Sequence, residues 1–314
     1  MKKLILILLA LVLSVSMLAC TQTANPSTGT NNPGETNANG EPVGTTDNTN
    51  PGSTNPASIV LTFNGTKLET SVQDTGITVE GSAFVITRGG SYELRGDLSG
   101  GQIKVAVGKE ADVELIFNNF TASNNTSAPL YIVSANKAVI FLAAGSVNTL
   151  TDATLYQFAN PADDKPNACI YSSDDLTIKG TGTLNVNGNY NNGIGCKNDL
   201  RIKDCTLNVT AVNNILKGND SVEIENATVK LSGGEDAIKS DTTDRTDKGY
   251  ILITAGSKVD ISCIDDAIQA TMSITVEAGA TITGTCGGDV LNCPGTINAN
   301  EAAMQITSTA QPEA

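Results

Sequence analysis

A short acidic phrase recurs in the second half of the chain. The letters Glu-Asp-Ala-Ile-Lys begin at Glu235, and Asp-Asp-Ala-Ile-Gln begin at Asp265. The second acidic position of each copy, which we call position zero, is next occupied by Asp289. Ca²⁺ takes several carboxylate oxygens at once and tolerates irregular geometry. If the copies stack, we therefore expect a calcium site built from Glu235, Asp236, Asp265, Asp266 and Asp289.

Earlier copies of the phrase carry amides instead of acids. Asn191-Asn192 and Asn213-Asn214 stand where the acids stand later. Stacked Asn side chains can bond neighbouring backbone and one another, and we favour this structural ladder for the four amides. Carboxylates cannot donate to each other, and two at about 5 Å repel by roughly 3 kcal/mol at an effective dielectric near 20. Lys239 could offset part of this repulsion, so a salt network is the alternative to calcium.

Two further groups of acids are weaker candidates for a second ion. One group recurs at a turn, where Asp174-Asp175, Asn198-Asp199 and Asn219-Asp220 share a repeat position. The other lies in an inserted segment. Such carboxylates usually face water, and the sequence leaves both interpretations open. The weaker candidates are Asp175, Asp199, Asp220, Asp241, Asp244 and Asp247.

The position three residues after position zero should face outward. It holds Lys217 and Lys239 in adjacent copies. Beside bound calcium, stacked lysines would attract an anionic linear polymer such as a uronic-acid chain. They could equally pair with the neighbouring acids. The residue directly after position zero is small in three copies, which predicts the floor of a shallow groove: Gly193, Ala237 and Ala267.

The composition excludes several kinds of chemistry. The chain has no His, which rules out Ser-His-Asp and Cys-His catalysis and argues against typical zinc sites. A formal charge of −14 makes nucleic acid an unfavourable partner. The chain also lacks Trp, which weakens the case for an aromatic platform that binds neutral sugars.

The phrase returns at nearly constant spacing, so one structural unit must be stacked repeatedly. Starting from Asn192, position zero recurs after 22, 22, 30 and 23 residues. Each repeat also carries two apolar–polar–apolar triplets, the pattern of a strand with one buried face. The triplets are residues 176–178, 200–202, 222–224, 251–253 and 274–276 for one run, and 184–186, 207–209, 229–231, 259–261 and 282–284 for the other.

Three short strands per repeat in constant order predict an all-β chain folded as a parallel β-helix of about eight or nine coils. Residues 151–165 and 242–248 do not fit the repeat, and we expect them to form projecting loops. Cys263 and Cys286 share one repeat position, where stacking permits either a disulfide or a pair of free thiols.

The N-terminal residues are typical of export. Residues 1–19 contain basic residues, an apolar core and a small residue before Cys20, and they resemble a bacterial lipoprotein signal. The resemblance implies that Cys20 is lipidated and holds the protein at the cell membrane. Ordinary secretion is the alternative. Residues 20–56 are rich in Thr, Asn, Gly and Pro, which predicts a flexible tether. Residues 57–314 would then form a domain exposed at the cell surface.

These features together resemble a family of bacterial cell-surface carbohydrate-binding domains, formerly known only as a domain of unknown function. The resemblance rests on the signal, the tether and the phrases at Glu235 and Asp265. It implies a right-handed parallel β-helix similar to pectate lyases, bound Ca²⁺, and a partner such as polygalacturonate, with cellulose as a further ligand.

Pectate lyases themselves are the rival interpretation. The resemblance carries their calcium ligands onto Asp236, Asp265, Asp266 and position 269, where this chain has Gln269 in place of an acid. Those enzymes also need a basic residue near the ion, and no Lys or Arg follows Lys258. We therefore expect binding without turnover. A surface adhesin with no saccharide ligand is the third interpretation, and an exposed apolar strip would favour it.

Overall fold

The computed structural model describes residues 58–310. The expected signal at 1–19, the lipidated Cys20 and the tether up to residue 56 lie outside the described residues. Within residues 58–310, none of the helical structure is long and apolar enough to cross a membrane.

Almost all regular structure in the described residues is β-strand, as the sequence predicts. The first strands are β1 (Ile59–Asn64), β2 (Lys67–Thr70), β3 (Ile77–Glu80), β4 (Ala83–Ile86), β5 (Gly90–Ser99), β6 (Gln102–Ala106), β7 (Val113–Ser123), β8 (Leu130–Ser134), β9 (Ala138–Leu142) and β10 (Val147–Thr151). The middle strands are β11 (Ala168–Ser172), β12 (Leu176–Gly180), β13 (Thr183–Asn187), β14 (Asn192–Cys196), β15 (Asp199–Lys203), β16 (Thr206–Ala211), β17 (Leu216–Gly218), β18 (Ser221–Glu225) and β19 (Thr228–Gly233). The last strands are β20 (Ile238–Ser240), β21 (Tyr250–Ile253), β22 (Lys258–Ser262), β23 (Ile268–Ala270), β24 (Ser273–Val276), β25 (Thr281–Cys286), β26 (Leu291–Asn292), β27 (Thr296–Ala299) and β28 (Met304–Ser308), with a 3₁₀ turn at Glu301–Ala303.

Each repeat of the second half supplies three strands, and each strand pairs with its counterpart one repeat later. For example, β14, β15 and β16 pair in parallel with β17, β18 and β19. The strands that contain the repeated phrase belong to a ten-stranded sheet, which we call the first sheet. Its strand order is β3, β4, β6, β8, β11, β14, β17, β20, β23 and β26. The other two strands of each repeat belong to an 18-stranded sheet. The prediction of stacked parallel strands is confirmed.

The apolar–polar–apolar triplets explain why the strands stack in this register. Leu200 and Ile202 of β15 are fully buried, while Arg201 between them is exposed. Leu200 aligns with Leu176 on one side and Val222 on the other, so identical positions form continuous apolar columns inside the coils. A one-residue slip would turn every buried side chain outward, and this cost fixes the register.

The small residues expected to floor a groove lie instead in the interior, so that prediction is wrong. Ala237 and Ala267 have no exposed surface and belong to the hydrophobic core. A Cβ added to Gly193 would lie 2.4 Å from Cγ1 of Val209. The residue directly after position zero is small because it packs against the third strand of its own coil. The repeat period alone does not reveal this contact.

Both segments outside the repeat pattern are loops, as predicted. One lies between β10 and β11, and the other lies between β20 and β21. The first loop is held at its base by Asp152, which accepts a hydrogen bond from the hydroxyl of Tyr156 at 2.7 Å and another from the backbone of Asn189. The thiols of Cys263 and Cys286 are free in the structure.

Candidate functional site

At position zero, three side chains accept a backbone hydrogen bond from the next coil. Asn192 Oδ1 accepts from the N–H of Asn214 at 3.2 Å. Asp236 Oδ1 accepts from the N–H of Asp266 at 3.3 Å, and Asp266 Oδ1 accepts from the N–H of Asp289 at 2.8 Å. This bond needs only one oxygen. Each carboxylate therefore keeps a second oxygen for other partners, whereas an amide at the same position would offer a nitrogen.

Three of the predicted calcium ligands lie close together. Asp236, Asp265 and Asp266, which we call the acidic cluster, each offer an oxygen within 4.8 Å of the other two. Asp236 and Asp266 are buried, with 4% of each residue exposed, whereas Asp265 is exposed. Ca²⁺ binds oxygen at about 2.3–2.6 Å, so two ligands of one ion lie at most roughly 5 Å apart. The spacing of the acidic cluster fits that limit.

The remaining oxygens of the buried pair bond to outward side chains. Asp236 Oδ2 accepts from Nζ of Lys239 at 2.8 Å. Asp266 Oδ2 accepts from Nε2 of Gln269 at 3.0 Å and from Nδ2 of Asn292 at 2.6 Å. Lys239 is the one cation in the described residues that forms an ion pair with the acidic cluster. The salt-network alternative is thus realised for one carboxylate of three.

Asp265 carries the uncompensated charge of the acidic cluster. Burial against the neighbouring coils and the negative charges of Asp266, Asp236 and Glu235 raise its pKa, and Lys239 only partly opposes them. Its side chain accepts no hydrogen bond from the described residues. The repulsion expected from the sequence therefore concentrates on this carboxylate.

Two local features support a cation between these coils. A Cβ added to Gly288 would lie 2.5 Å from Oδ1 of Asp265 and 2.6 Å from Oδ1 of Asp266, so glycine is required for the backbone to approach both carboxylates. One coil before Asp236, Oδ1 of buried Asn214 is the one buried side-chain oxygen or nitrogen in the described residues without a hydrogen-bond partner. A hard cation suits the acidic cluster, because the ligand atoms that the cluster offers are carboxylate oxygens.

Glu235 and Asp289 lie beside the acidic cluster but outside its 4.8 Å group. Both are exposed. Glu235 acts on the cluster through its charge, since it helps to raise the pKa of Asp265. Asp289 contributes its backbone N–H to Asp266. Gln269, predicted as a ligand through the lyase resemblance, contacts the cluster directly at Asp266.

The acids at the turn before the second strand have protein cations as partners. We call Asp174, Asp199 and Asp220 the turn acids. Asp174 pairs with Lys109, Asp199 pairs with Lys248 at 2.6 Å, and Asp220 pairs with Arg245 at 2.7 Å. Two of these cations come from the loop between β20 and β21. The loop is therefore fastened over the turn acids by ion pairs.

The other weak candidates are dispersed. Asp175 Oδ1 accepts from the N–H of Asp199 at 3.4 Å. In the loop, Asp241 pairs with Lys217 at 2.6 Å, and Asp247 lies 3.8 Å from Nε of Arg245. Asp244 is exposed. Among the described residues, the one group of three acids close enough to share an ion is the acidic cluster.

Lys217 and Lys239 are register partners on β17 and β20, as predicted, and both pair with acids. They also belong to a longer row that faces outward from the first sheet, which we call the outer column. Its members align strand by strand: Lys104, Tyr131, Tyr171, Gly195, Lys217, Lys239, Gln269 and Asn292. A linear ligand lying along the stack would meet the partly exposed Tyr131 first, then the lysines, then the acidic cluster, because Tyr171 is only 5% exposed.

Sequence reasoning missed the aromatic part of the outer column. Tyr131 and Tyr171 contact each other edge to face, with ring centroids 5.7 Å apart. Tyr171 stands three residues after Ala168, and Ala168 aligns with Asn192 at position zero. The phrase is unrecognisable there because alanine replaces the polar residue. Extending the spacing one repeat upstream would have found Tyr171.

A cleft of about 530 Å³ opens over this aromatic end of the outer column. The loop between β10 and β11 forms one wall, with Lys165 and Pro166, and the first sheet contributes Lys104 and Tyr131. Nζ of Lys165 lies 5.7 Å from the ring centroid of Tyr171. The projecting loop thus deepens an otherwise flat sheet surface.

Comparison with known proteins identifies the family of the chain. The model of a family described as carbohydrate-binding domain-containing protein matches residues 80–311. A protein of Acetivibrio thermocellus with the same description is 39% identical over 252 residues, which cover 80% of this chain and 87% of that protein. A solved structure described as the polysaccharide lyase-like protein from C. thermocellum, as a gadolinium derivative, superposes with a TM-score of 0.77. That chain is 41% identical to this one. The match covers 100% of that chain and 80% of this chain. The chain belongs to the family of carbohydrate-binding domain-containing proteins.

Proposed function

We propose that the domain binds an acidic, pectin-like polysaccharide along the outer column, with Ca²⁺ at the acidic cluster and without turnover. The observation that carries the proposal is the contact between the two features. Lys239 of the outer column bonds Asp236, and Gln269 of the outer column bonds Asp266. A chain lying on the outer column would therefore pass directly over the acidic cluster. We also propose the right-handed coil of about eight or nine turns that the lyase-like fold implies.

Asp236, Asp265 and Asp266 would hold the ion. Bound Ca²⁺ would supply positive charge to a surface that is otherwise repulsive, since the whole chain carries −14. Lys217 and Lys239 add two cations on adjacent strands.

A lyase is the second candidate because the solved relative is described as polysaccharide lyase-like. Proton abstraction needs an unprotonated base within reach of the substrate. Nζ of Lys239 lies 2.8 Å from Oδ2 of Asp236 and is therefore already engaged by the acidic cluster. No other basic residue lies beyond Lys258 to serve the downstream coils. These contacts favour binding over elimination.

The test is retention on immobilised polygalacturonate, with a neutral glucan gel and cellulose in parallel, in Ca²⁺ and in EDTA. We expect retention on polygalacturonate only with Ca²⁺, and weaker retention for Lys217→Ala and Lys239→Ala. Lys203→Ala is the matched control, because Lys203 also pairs with an acid, Glu225 at 2.9 Å, but on the other sheet. Equal retention of all variants would remove the outer column from the proposal. A rise in unsaturated-uronide absorbance would replace binding with lyase activity.

We further propose that the protein is exported and anchored through lipidated Cys20, with the domain at the cell surface. The support is the signal-like sequence of residues 1–19. The full chain should partition into the detergent phase after expression in a bacterial host, and Cys20→Ala should move it to the aqueous phase. Equal partitioning of both proteins would contradict lipidation.

A further inference from the structure

A small pit interrupts the outer column at Gly195. It has a volume of about 80 Å³ and lies between Tyr171 and Lys217. Its polar lining consists of three lysines and three asparagines: Lys165, Lys197, Lys217, Asn167, Asn192 and Asn219. None of the described side chains that line it is acidic. We call it the lysine pit.

The lysine pit exists because Gly195 has no side chain. A Cβ at this position would lie 3.1 Å from Cβ of Ala168 and 3.2 Å from Cδ2 of Tyr171. Both contacts are tighter than ordinary packing, so a larger residue would fill the space and press on the tyrosine ring. One water needs about 10–15 Å³ of volume open to its centre, so the pit has room for a carboxylate.

The charges at the lysine pit favour an anion. Lys217 is held by Asp241 at 2.6 Å, and Lys165 lies 3.3 Å from exposed Asp164. Lys197 is exposed and forms no ion pair among the described residues. Two of the three lysines are thus paired with acids outside the lining, and Lys197 leaves the pit locally positive in a chain of formal charge −14. An entering anion would gain charge-assisted hydrogen bonds from the ammonium groups and the amide N–H groups.

We propose that the lysine pit binds a carboxylate of a uronate unit in the same polysaccharide, an inference that rests on the proposed function. Gly195 and Lys239 are two strands apart on the outer column, which corresponds to about 10 Å at the usual strand spacing. A linear acidic chain lying along the outer column thus reaches the lysine pit and the acidic cluster together. The ligand is held by direct lysine contacts at the first point and through the cation at the second.

The test measures the Kd of the intact protein for oligogalacturonides in Ca²⁺ by calorimetry. Lys197→Gln removes the unpaired cation and should weaken binding by roughly 10-fold, the value of one hydrogen bond to a charged group. Lys230→Gln is the matched control, because Lys230 is also exposed but lies on β19 of the other sheet. It should change Kd by less than about twofold. Fully methyl-esterified oligosaccharides should bind weakly and show no difference between the two variants.

Gly195→Ser provides a second, independent variant. Gly195 does not have a positive φ, so serine fits the backbone while its side chain fills the pit. Thermal melting checks that the variant folds, and its Kd should rise by roughly 10-fold as well. If Lys197→Gln and Gly195→Ser bind like the wild type while Ca²⁺-dependent binding persists, the lysine pit is excluded and the proposed function stands. If the wild type binds no oligogalacturonide, both fail.

Discussion

Two groups of acids repeat along this stack, and they are compensated in opposite ways. Each of the turn acids has a basic partner, namely Lys109, Lys248 and Arg245. The acidic cluster has three carboxylates within 4.8 Å and one ion pair, to Lys239. Acids that recur along the stack thus form ion pairs with protein cations in one region and an open, repulsive site in the other.

The difference teaches where a cation is needed. A paired carboxylate has its charge met by the protein and gains little from a metal. In the acidic cluster, Gly288 lets the backbone close over two carboxylates, and no described cation reaches Asp265 to form an ion pair. Such an arrangement costs stability unless an ion binds. The comparison predicts that the two regions respond oppositely to Ca²⁺ and to the loss of protein charges.

The largest expected effect is stabilisation by Ca²⁺. At a concentration of 100 times its Kd, the ion should add about 2.7 kcal/mol to the free energy of unfolding. For a domain of this size, that corresponds to a rise in Tm on the order of 5–10 °C. Asp265→Asn should lose most of this rise, because it removes one of the three carboxylates. The measurement is thermal melting after dialysis against EDTA, with and without added Ca²⁺.

The control comes from the turn acids. Asp199→Asn also removes a carboxylate, but Asp199 already has Lys248 at 2.6 Å. This variant should keep the full rise in Tm with Ca²⁺. Equal loss in both variants would mean that the ion binds elsewhere or non-specifically. No rise in the wild type would remove the metal site.

The next effect is the loss of a protein cation from the turn acids. The carboxylate of Asp220 is 8% exposed and bonds Arg245 at 2.7 Å. In Arg245→Ala, the carboxylate of Asp220 loses its ion-pair partner. It keeps the hydrogen bond that the hydroxyl of Thr242 donates at 3.2 Å. Because Arg245 is half exposed, we expect a loss of about 1–2 kcal/mol in unfolding free energy, less than for a fully buried pair. Urea unfolding measures it.

A double-mutant cycle shows whether charge is the cause. Asp220→Asn combined with Arg245→Ala should recover part of the stability lost in Arg245→Ala alone, since no unpaired charge remains. The Ca²⁺ response should be unchanged in both variants. Additive losses would show that Arg245 acts through packing rather than through Asp220.

The contrast between the regions also shows how far a sequence can be interpreted. The strands and the stacking were predictable because alternation in triplets such as Leu200-Arg201-Ile202 is local. The acidic cluster was predictable because its three residues stand in two consecutive copies of the same phrase: Asp236, Asp265 and Asp266. The partners of the turn acids were not, since they lie 65, 49 and 25 residues away along the chain. No repeat pattern encodes a lysine that reaches across from another coil.

Asp152 offers a third case, a carboxylate held by uncharged donors alone. Burial raises its pKa, although the hydrogen bonds from the N–H of Asn189 and the hydroxyl of Tyr156 oppose the shift. A pKa raised by folding favours the protonated form in the native state. The stabilisation is complete below the unfolded pKa and is lost as the pH rises through the folded pKa.

The wild type should therefore gain stability relative to Asp152→Asn as the pH falls from 7 toward about 4, the usual range of an unfolded Asp. Urea unfolding at several pH values measures the difference between the two proteins, so that other titrating groups cancel. The effect should be gentler than that of Arg245→Ala, because asparagine can still accept from Tyr156. A difference that is constant with pH would show that Asp152 does not carry the shift.

The smallest effect has the most informative sign. In EDTA, Asp265→Asn removes a charge that Asp236, Asp266 and Glu235 all repel, and it breaks no hydrogen bond to a described residue. Because Asp265 is exposed, we expect a gain of only about 0.5 kcal/mol in unfolding free energy at neutral pH. With Ca²⁺ the same variant should be less stable than the wild type. Asp199→Asn should be destabilised in both conditions, since it removes the ion-pair partner of Lys248. If Asp265→Asn is less stable than the wild type in EDTA, the carboxylate of Asp265 stabilises the fold itself. The acidic cluster and the turn acids would then differ less than their contacts indicate.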